Sequence, residues 1–131
     1  MTRVETQKVD KMTAVDLELL KVLPSADLEI DIRVRTRLAI TAFTAQRKVS
    51  RLMLERVSNL LCGQEPTLVV GDRVRWRVPV WLGFPNMGLV GKVGDIDVDV
   101  ETGEILFDQH GLEEISERAD ALARRTLSAP A

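Results

Sequence analysis

Between residues 73 and 108 the sequence spells out two strands of opposite charge. Val74, Trp76, Val78, Val80 and Leu82 alternate with Arg73, Arg75 and Arg77. Further on, Ile96, Val98 and Val100 alternate with Asp95, Asp97, Asp99 and Glu101. A period of two sends successive side chains to opposite faces, so each segment has one apolar and one charged face. An antiparallel register with Arg77 facing Asp95, Arg75 facing Asp97 and Arg73 facing Asp99 joins the apolar faces and neutralises the charged ones. A slip by two residues preserves the faces, whereas a slip by one drives charges into the core. Exposed pairs of this kind contribute about 0.2–1 kcal/mol each, so their larger effect is on register.

The same acids invite a calcium-loop reading, because such loops begin with spaced carboxylates. The rest of that motif is missing: Val100 stands where the loop needs glycine and Leu106 where it needs glutamate. Each charged row is therefore expected to be the other's ligand.

The neighbouring segments complete a sheet. Residues 67–70 read as a short strand turned by Gly71-Asp72. Residues 83–88 form the loop between the charged strands. Glu101-Thr102-Gly103-Glu104 reads as a turn into a third strand at 105–107, with Val100 facing Ile105 and Val98 facing Phe107. Gly111 precedes a helix over 112–125, whose stripe of Leu112, Ile115, Ala119 and Leu122 is narrow. Acids at its start and Arg124 and Arg125 at its end match the helix dipole. So thin a stripe suits either a docked helix or a contact with a second copy of the chain.

The N-terminal half reads as helical. Residues 1–12 form an arm, and Thr13 caps a helix over 14–23 that Pro24 ends. Residues 28–34 fit a strand, with Leu28, Ile30, Ile32 and Val34 on one face, and also fit the opening of the next helix. Residues 36–61 carry apolar side chains at spacings of three and four: Leu38, Ala42, Ala45, Val49, Met53, Val57 and Leu60. Ser50 is a possible N-cap inside this stretch, so both one helix and two remain open. Residues 62–66 mark the boundary with the sheet half.

Charge is unevenly distributed. Residues 1–62 hold 11 Lys and Arg against 8 Asp and Glu, whereas residues 63–131 hold 7 against 12. Over residues 33–56, seven basic residues face one acid, Glu55. Such a segment suits an anionic partner, a solvated helix face, or the protein's own acidic half.

Several function classes are disfavoured. No apolar run approaches the roughly 18 residues of a membrane span. No hydrophobic stretch follows the N-terminal charges, and a single cysteine excludes an intrachain disulfide, which together point to the cytoplasm. His110 and Cys62 are the sole histidine and cysteine and fall in different halves. At the end of the expected helix, Cys62 would meet the negative pole of the dipole, which opposes a reactive thiolate. No zinc spacing, phosphate loop or dinucleotide fingerprint is present, so no enzyme activity and no cofactor are expected.

Two resemblances follow. The segment from Trp76-Arg77-Val78 to Asp99-Val100-Glu101-Thr102-Gly103-Glu104 resembles PepSY-type domains, in which a Trp-bearing strand pairs with one ending in an Asp-x-x-Thr-Gly-Glu turn. That resemblance implies a small helix-plus-sheet module that binds other proteins without catalysis. Residues 29–61, a β-branched stretch and then helices carrying Arg47-Lys48-Val49-Ser50, loosely resemble ribbon–helix–helix repressors and antitoxin helical hairpins. That resemblance implies a DNA-binding regulator using Arg37, Arg47, Lys48 and Arg51.

The expected fold is α+β: N-terminal helices, an antiparallel meander of three to four strands, and a C-terminal helix, with 13–62 and 67–127 folding as one unit. The expected function is non-catalytic protein binding through Trp81, Phe84 and Met87, an apolar group at a loop tip. Homo-oligomerisation is expected too, because residues 36–61 carry more apolar surface than a small sheet covers.

Overall fold

A computed structural model of the chain describes residues 14–17, 33 and 35–128. These residues form an α+β fold, and among them are six strands and two helices: β1 (Ala14–Leu17), α1 (Ala42–Arg56), β2 (Leu61–Gly63), β3 (Thr67–Val70), β4 (Val74–Phe84), β5 (Gly88–Asp99), β6 (Ile105–Leu106) and α2 (Gln109–Leu127). The strands lie in the order β1-β3-β4-β5-β6, and β2 also pairs with β4 beyond the end of β3. All neighbours are antiparallel except β1 and β3. Both helices pack on the apolar face of β4 and β5, around one core that includes Val49, Met53, Trp76, Val78, Val98 and Ile115.

The N-terminal half departs most from the sequence reading. Residues 14–17 form a strand rather than the start of a helix, because the edge of β3 offers them a parallel ladder from Ala14↔Thr67 to Leu17↔Val70. The arm at 1–12, the remainder of the helix expected to residue 23 and the strand or helix expected at 28–34 lie outside the described residues, apart from Arg33. The meander of three or four strands is thus enlarged by β1 and β2.

Residues 36–61 give one helix, shorter than expected. Thr41 caps it by accepting from the Thr44 N–H at 3.1 Å, and residues 35–38 before it have no regular structure. Its apolar stripe buries Ala45, Val49, Leu52 and Met53. Ser50 caps nothing. Its hydroxyl accepts from the Gly63 N–H at 2.8 Å, and one turn earlier Gln46 Nε2 donates to the Gly63 carbonyl at 3.1 Å. Ser50, the N-cap candidate, is therefore with Gln46 a clamp on β2. This also corrects the helical reading of Leu61 and the boundary reading of residues 62 and 63, which belong to β2. A Cβ at Gly63 would lie 2.8 Å from Val78 Cγ1 and 3.0 Å from the Gln46 carbonyl oxygen. The close approach of helix to strand thus requires glycine.

The charged strands pair on the expected faces but two residues out of the expected register. Arg77 faces Asp97 and Arg75 faces Asp99, whereas Phe84 faces Gly88 at the turn. Two irregularities in β5 absorb the difference: Val93 is left over between the pairs Val80↔Gly94 and Trp81↔Lys92, and Val90 between Leu82↔Gly91 and Gly83↔Leu89. The alternating pattern carries no mark of an inserted residue, so the slip was invisible to it.

The turn after β5 begins one residue earlier than expected. The Asp99 carboxylate accepts from the backbone N–H groups of Glu101 (2.8 Å) and Thr102 (3.0 Å), and Gly103 takes a φ of 75°. As a result Val98 faces Ile105 and Asp97 faces Leu106, correcting the pairs Val100–Ile105 and Val98–Phe107. The Thr102 N–H does most to hold the Asp99 carboxyl below its ordinary 3.8, with the Glu101 N–H and Arg73 assisting against burial. A carboxyl depressed by folding stabilises the fold above its unfolded-state pKa, and that stabilisation is lost as pH falls through the folded value. Urea midpoints should therefore fall below about pH 4, and Asp99→Asn should flatten that part of the profile. An unchanged acid limb in this variant would contradict the assignment.

Helix α2 starts before Gly111, because Asp108 is its cap and accepts from the Gly111 N–H at 2.7 Å. Its stripe is thin but sufficient, since β5 is flattened beneath it. A Cβ at Gly94 would sit 2.7 Å from Ile115 Cγ1, and one at Gly91 would sit 2.9 Å from Leu122 Cδ2. Two missing side chains let the helix settle onto the sheet.

Candidate protein-interaction surface

The β4–β5 hairpin ends in a short turn, Pro85 to Met87, closed by the Met87 N–H donating to the Phe84 carbonyl at 3.1 Å. Alternation along β4 places Trp81 on the arginine face, opposite Cys62 of β2 and Lys92 of β5. Phe84 falls on the other face and packs against the core. Trp81 and Phe84 therefore belong to different surfaces, and only Trp81 and Met87 remain as candidate contacts.

A third contributor was missed. Leu89 faces Gly83, two residues along β4 from Trp81, so it shares Trp81's face, and its Cδ2 lies 3.4 Å from where a Gly83 Cβ would be. Met87 is 52% exposed and Leu89 53%. The sequence did carry a signal, an apolar Leu89 directly after a turn glycine, but the strand pattern absorbed it into the core. The charged neighbour of this patch is Lys92, whose ammonium lies 3.0 Å from Asp95. On the same side, Cys62 accepts from Gln64 Nε2 at 3.1 Å. His110 is in the first turn of α2, 3.0 Å from Glu114, so the structure leaves Cys62 and His110 on separate elements with separate partners.

The four basic candidates are not equivalent. Arg37 is exposed in the segment before α1. Arg47 and Arg51 lie on the solvent face of α1, Arg47 stacked 5.7 Å over the exposed Phe43 ring and Arg51 paired with Glu55 at 2.9 Å. Lys48 points elsewhere and donates to the Gly103 carbonyl, which joins α1 to the Asp99 turn.

The ladder residues are occupied by one another. Asp97 accepts from Arg77 through both oxygens, at 3.0 and 3.1 Å, and lies 3.2 Å from Arg75. Arg73 reaches Asp99 at 3.4 Å. Asp95 pairs with Lys92 in place of Arg77, correcting the expected pair. These contacts are less exposed than anticipated: the side chains of Asp97 and Arg75 are only 16% and 19% accessible. Among the described residues, no group of three His, Cys, Asp or Glu side chains is placed to hold a metal ion. Nor is any helix among them long and apolar enough to cross a membrane.

Compared with protein-family models, with curated proteins and with solved structures, the chain matches none.

Proposed function

We propose that this protein is a non-catalytic, cytoplasmic protein-binding module that associates with its own copies through the end of the β4–β5 hairpin. The observation that carries this reading is the exposure of Met87 at the hairpin turn and of Leu89 on Trp81's face of the hairpin. Apolar side chains clustered on a tip need a surface to cover them. A two-fold contact must be complementary to itself, and among the described residues Lys92, the cation beside this patch, is paired with Asp95, which limits like-charge repulsion. The α1 face is different, because Arg47, stacked over Phe43, would oppose its own image across a two-fold axis. The resemblance to PepSY-type domains supports the same class, and the Trp76 strand does pair with the strand entering the Asp99 turn. A DNA-binding regulator ranks second: it keeps Arg37, Arg47 and Arg51 as surface cations but loses Lys48 to the Gly103 carbonyl.

Substituting Met87→Glu together with Leu89→Glu should raise the dissociation constant of the self-complex at least about tenfold, measured by size-exclusion chromatography on dilution. Far-UV circular dichroism should stay unchanged. Equal elution of both proteins at every concentration would remove the hairpin end as the contact.

A further inference from the structure

The two methionines among the described residues are held in opposite ways. Met53 is fully buried in the core between α1 and the sheet, whereas Met87 is 52% exposed in the turn of the β4–β5 hairpin. The Met87 N–H donates to the Phe84 carbonyl, which fixes the backbone there, and the residue lies outside both strands. Beside it, Gly88 takes a φ of 75°, and apart from its chain neighbours no heavy atom lies within 4 Å of where its Cβ would be. A small polar solute therefore reaches the Met87 thioether from open solvent and does not reach that of Met53.

The thioether is the group that hydrogen peroxide oxidises in methionine. The sulfur lone pair attacks one peroxide oxygen, an S–O bond forms and the O–O bond breaks. The departing hydroxide takes the proton left on the transferred oxygen and leaves as water. Sulfur loses two electrons and peroxide gains them, so the products are methionine sulfoxide and water. A flexible apolar side chain thereby becomes a polar one. Inside an apolar contact the new oxygen would lose its hydrogen bonds to water, which opposes burial. Leu89, next to the turn, offers peroxide nothing to oxidise.

We infer that Met87 is an oxidation site through which peroxide turns off the association of the hairpin ends. This inference rests on the self-association proposed above and names its control. Oxidation acts on separated copies, in which Met87 is open to solvent, and opposes their return to the complex. A sulfoxide reductase reverses it: two thiols become a disulfide, the oxygen leaves as water and the thioether is restored. Cys62, half-buried opposite Trp81, is a second group that peroxide oxidises, so the test separates the two residues.

The test treats the full chain with dilute hydrogen peroxide, removes it and compares size-exclusion elution over a dilution series before and after. Peptide masses should show one added oxygen at Met87 and none at Met53. The dissociation constant of the self-complex should rise at least about fivefold and return on treatment with sulfoxide reductase and a thiol. Far-UV circular dichroism should stay unchanged. Cys62→Ser should keep the whole response, whereas peroxide should leave the dissociation constant of Met87→Leu where it stood before treatment. A response lost in Cys62→Ser, a response kept in Met87→Leu, or a Met87 that peroxide leaves unmodified would overturn the inference. Association that survives full oxidation of Met87 removes the oxidative control alone. An untreated chain that elutes alike at every concentration removes the self-association and its control together.

Discussion

Trp76→Ala should be the most damaging single truncation among the residues discussed above, lowering stability by about 3–5 kcal/mol. Trp76 is 3% exposed, and its indole N–H donates to the Ile40 carbonyl at 3.1 Å. Removing it leaves a cavity between α1 and the sheet, and the Ile40 carbonyl loses its donor. Because total stability is about 5–15 kcal/mol for a typical domain, a large share of the margin would go. The damage should reach the segment before α1, where the Ala39 N–H donates to the Val100 carbonyl at 2.7 Å, so that amide should exchange faster. Trp81→Ala is the control, since its half-buried ring leaves the core intact and its loss should be less than half as large. Urea denaturation of the two variants makes the comparison, and a greater loss from Trp81→Ala would contradict the assigned faces.

Asp97→Ala should cost about 1–3 kcal/mol, whereas Asp95→Ala should stay within about 0.5 kcal/mol. Asp97 is the carboxylate shared by Arg75 and Arg77, and removing it withdraws a common partner from two cations with little access to water. Among the described residues, Asp95 pairs with Lys92 at the strand surface. The double variant Arg75→Met with Asp97→Leu should recover part of the loss, because it removes one of the two cations that share the carboxylate, while Arg77 keeps Asp16 at 3.9 Å. Urea midpoints again decide: equal losses from the two single variants would restore the Arg77–Asp95 register that the sequence alone suggested.

The difference between Asp95 and Asp97 marks how far the sequence could be read. Alternation identified β3, β4 and β5 and their charged faces, because a period of two is fixed by the backbone itself. It did not report the extra residues Val90 and Val93, since a bulge depends on how two strands twist together. Helix α1 was legible through Ala45, Val49 and Met53, but Gln46 and Ser50 resembled a break because their partner, Gly63, is distant in sequence. Strand β1 was missed because its ladder with β3 outweighs the local helical signal. At the candidate site, the sequence grouped Trp81, Phe84 and Met87 around a loop tip, whereas the structure packs Phe84 against the core and puts Leu89 on Trp81's face, which the sequence reading overlooked.

The proposed self-association lies at the end of the hairpin, whereas the charge ladder holds the strands together. Amide NMR spectra of the wild-type chain over a dilution series test that division most directly. Dilution should move the signals of Trp81, Met87 and Leu89 while leaving those of Arg75, Arg77 and Asp97 in place. Spectra unchanged by dilution, or changes centred on the ladder or on α1, would contradict it.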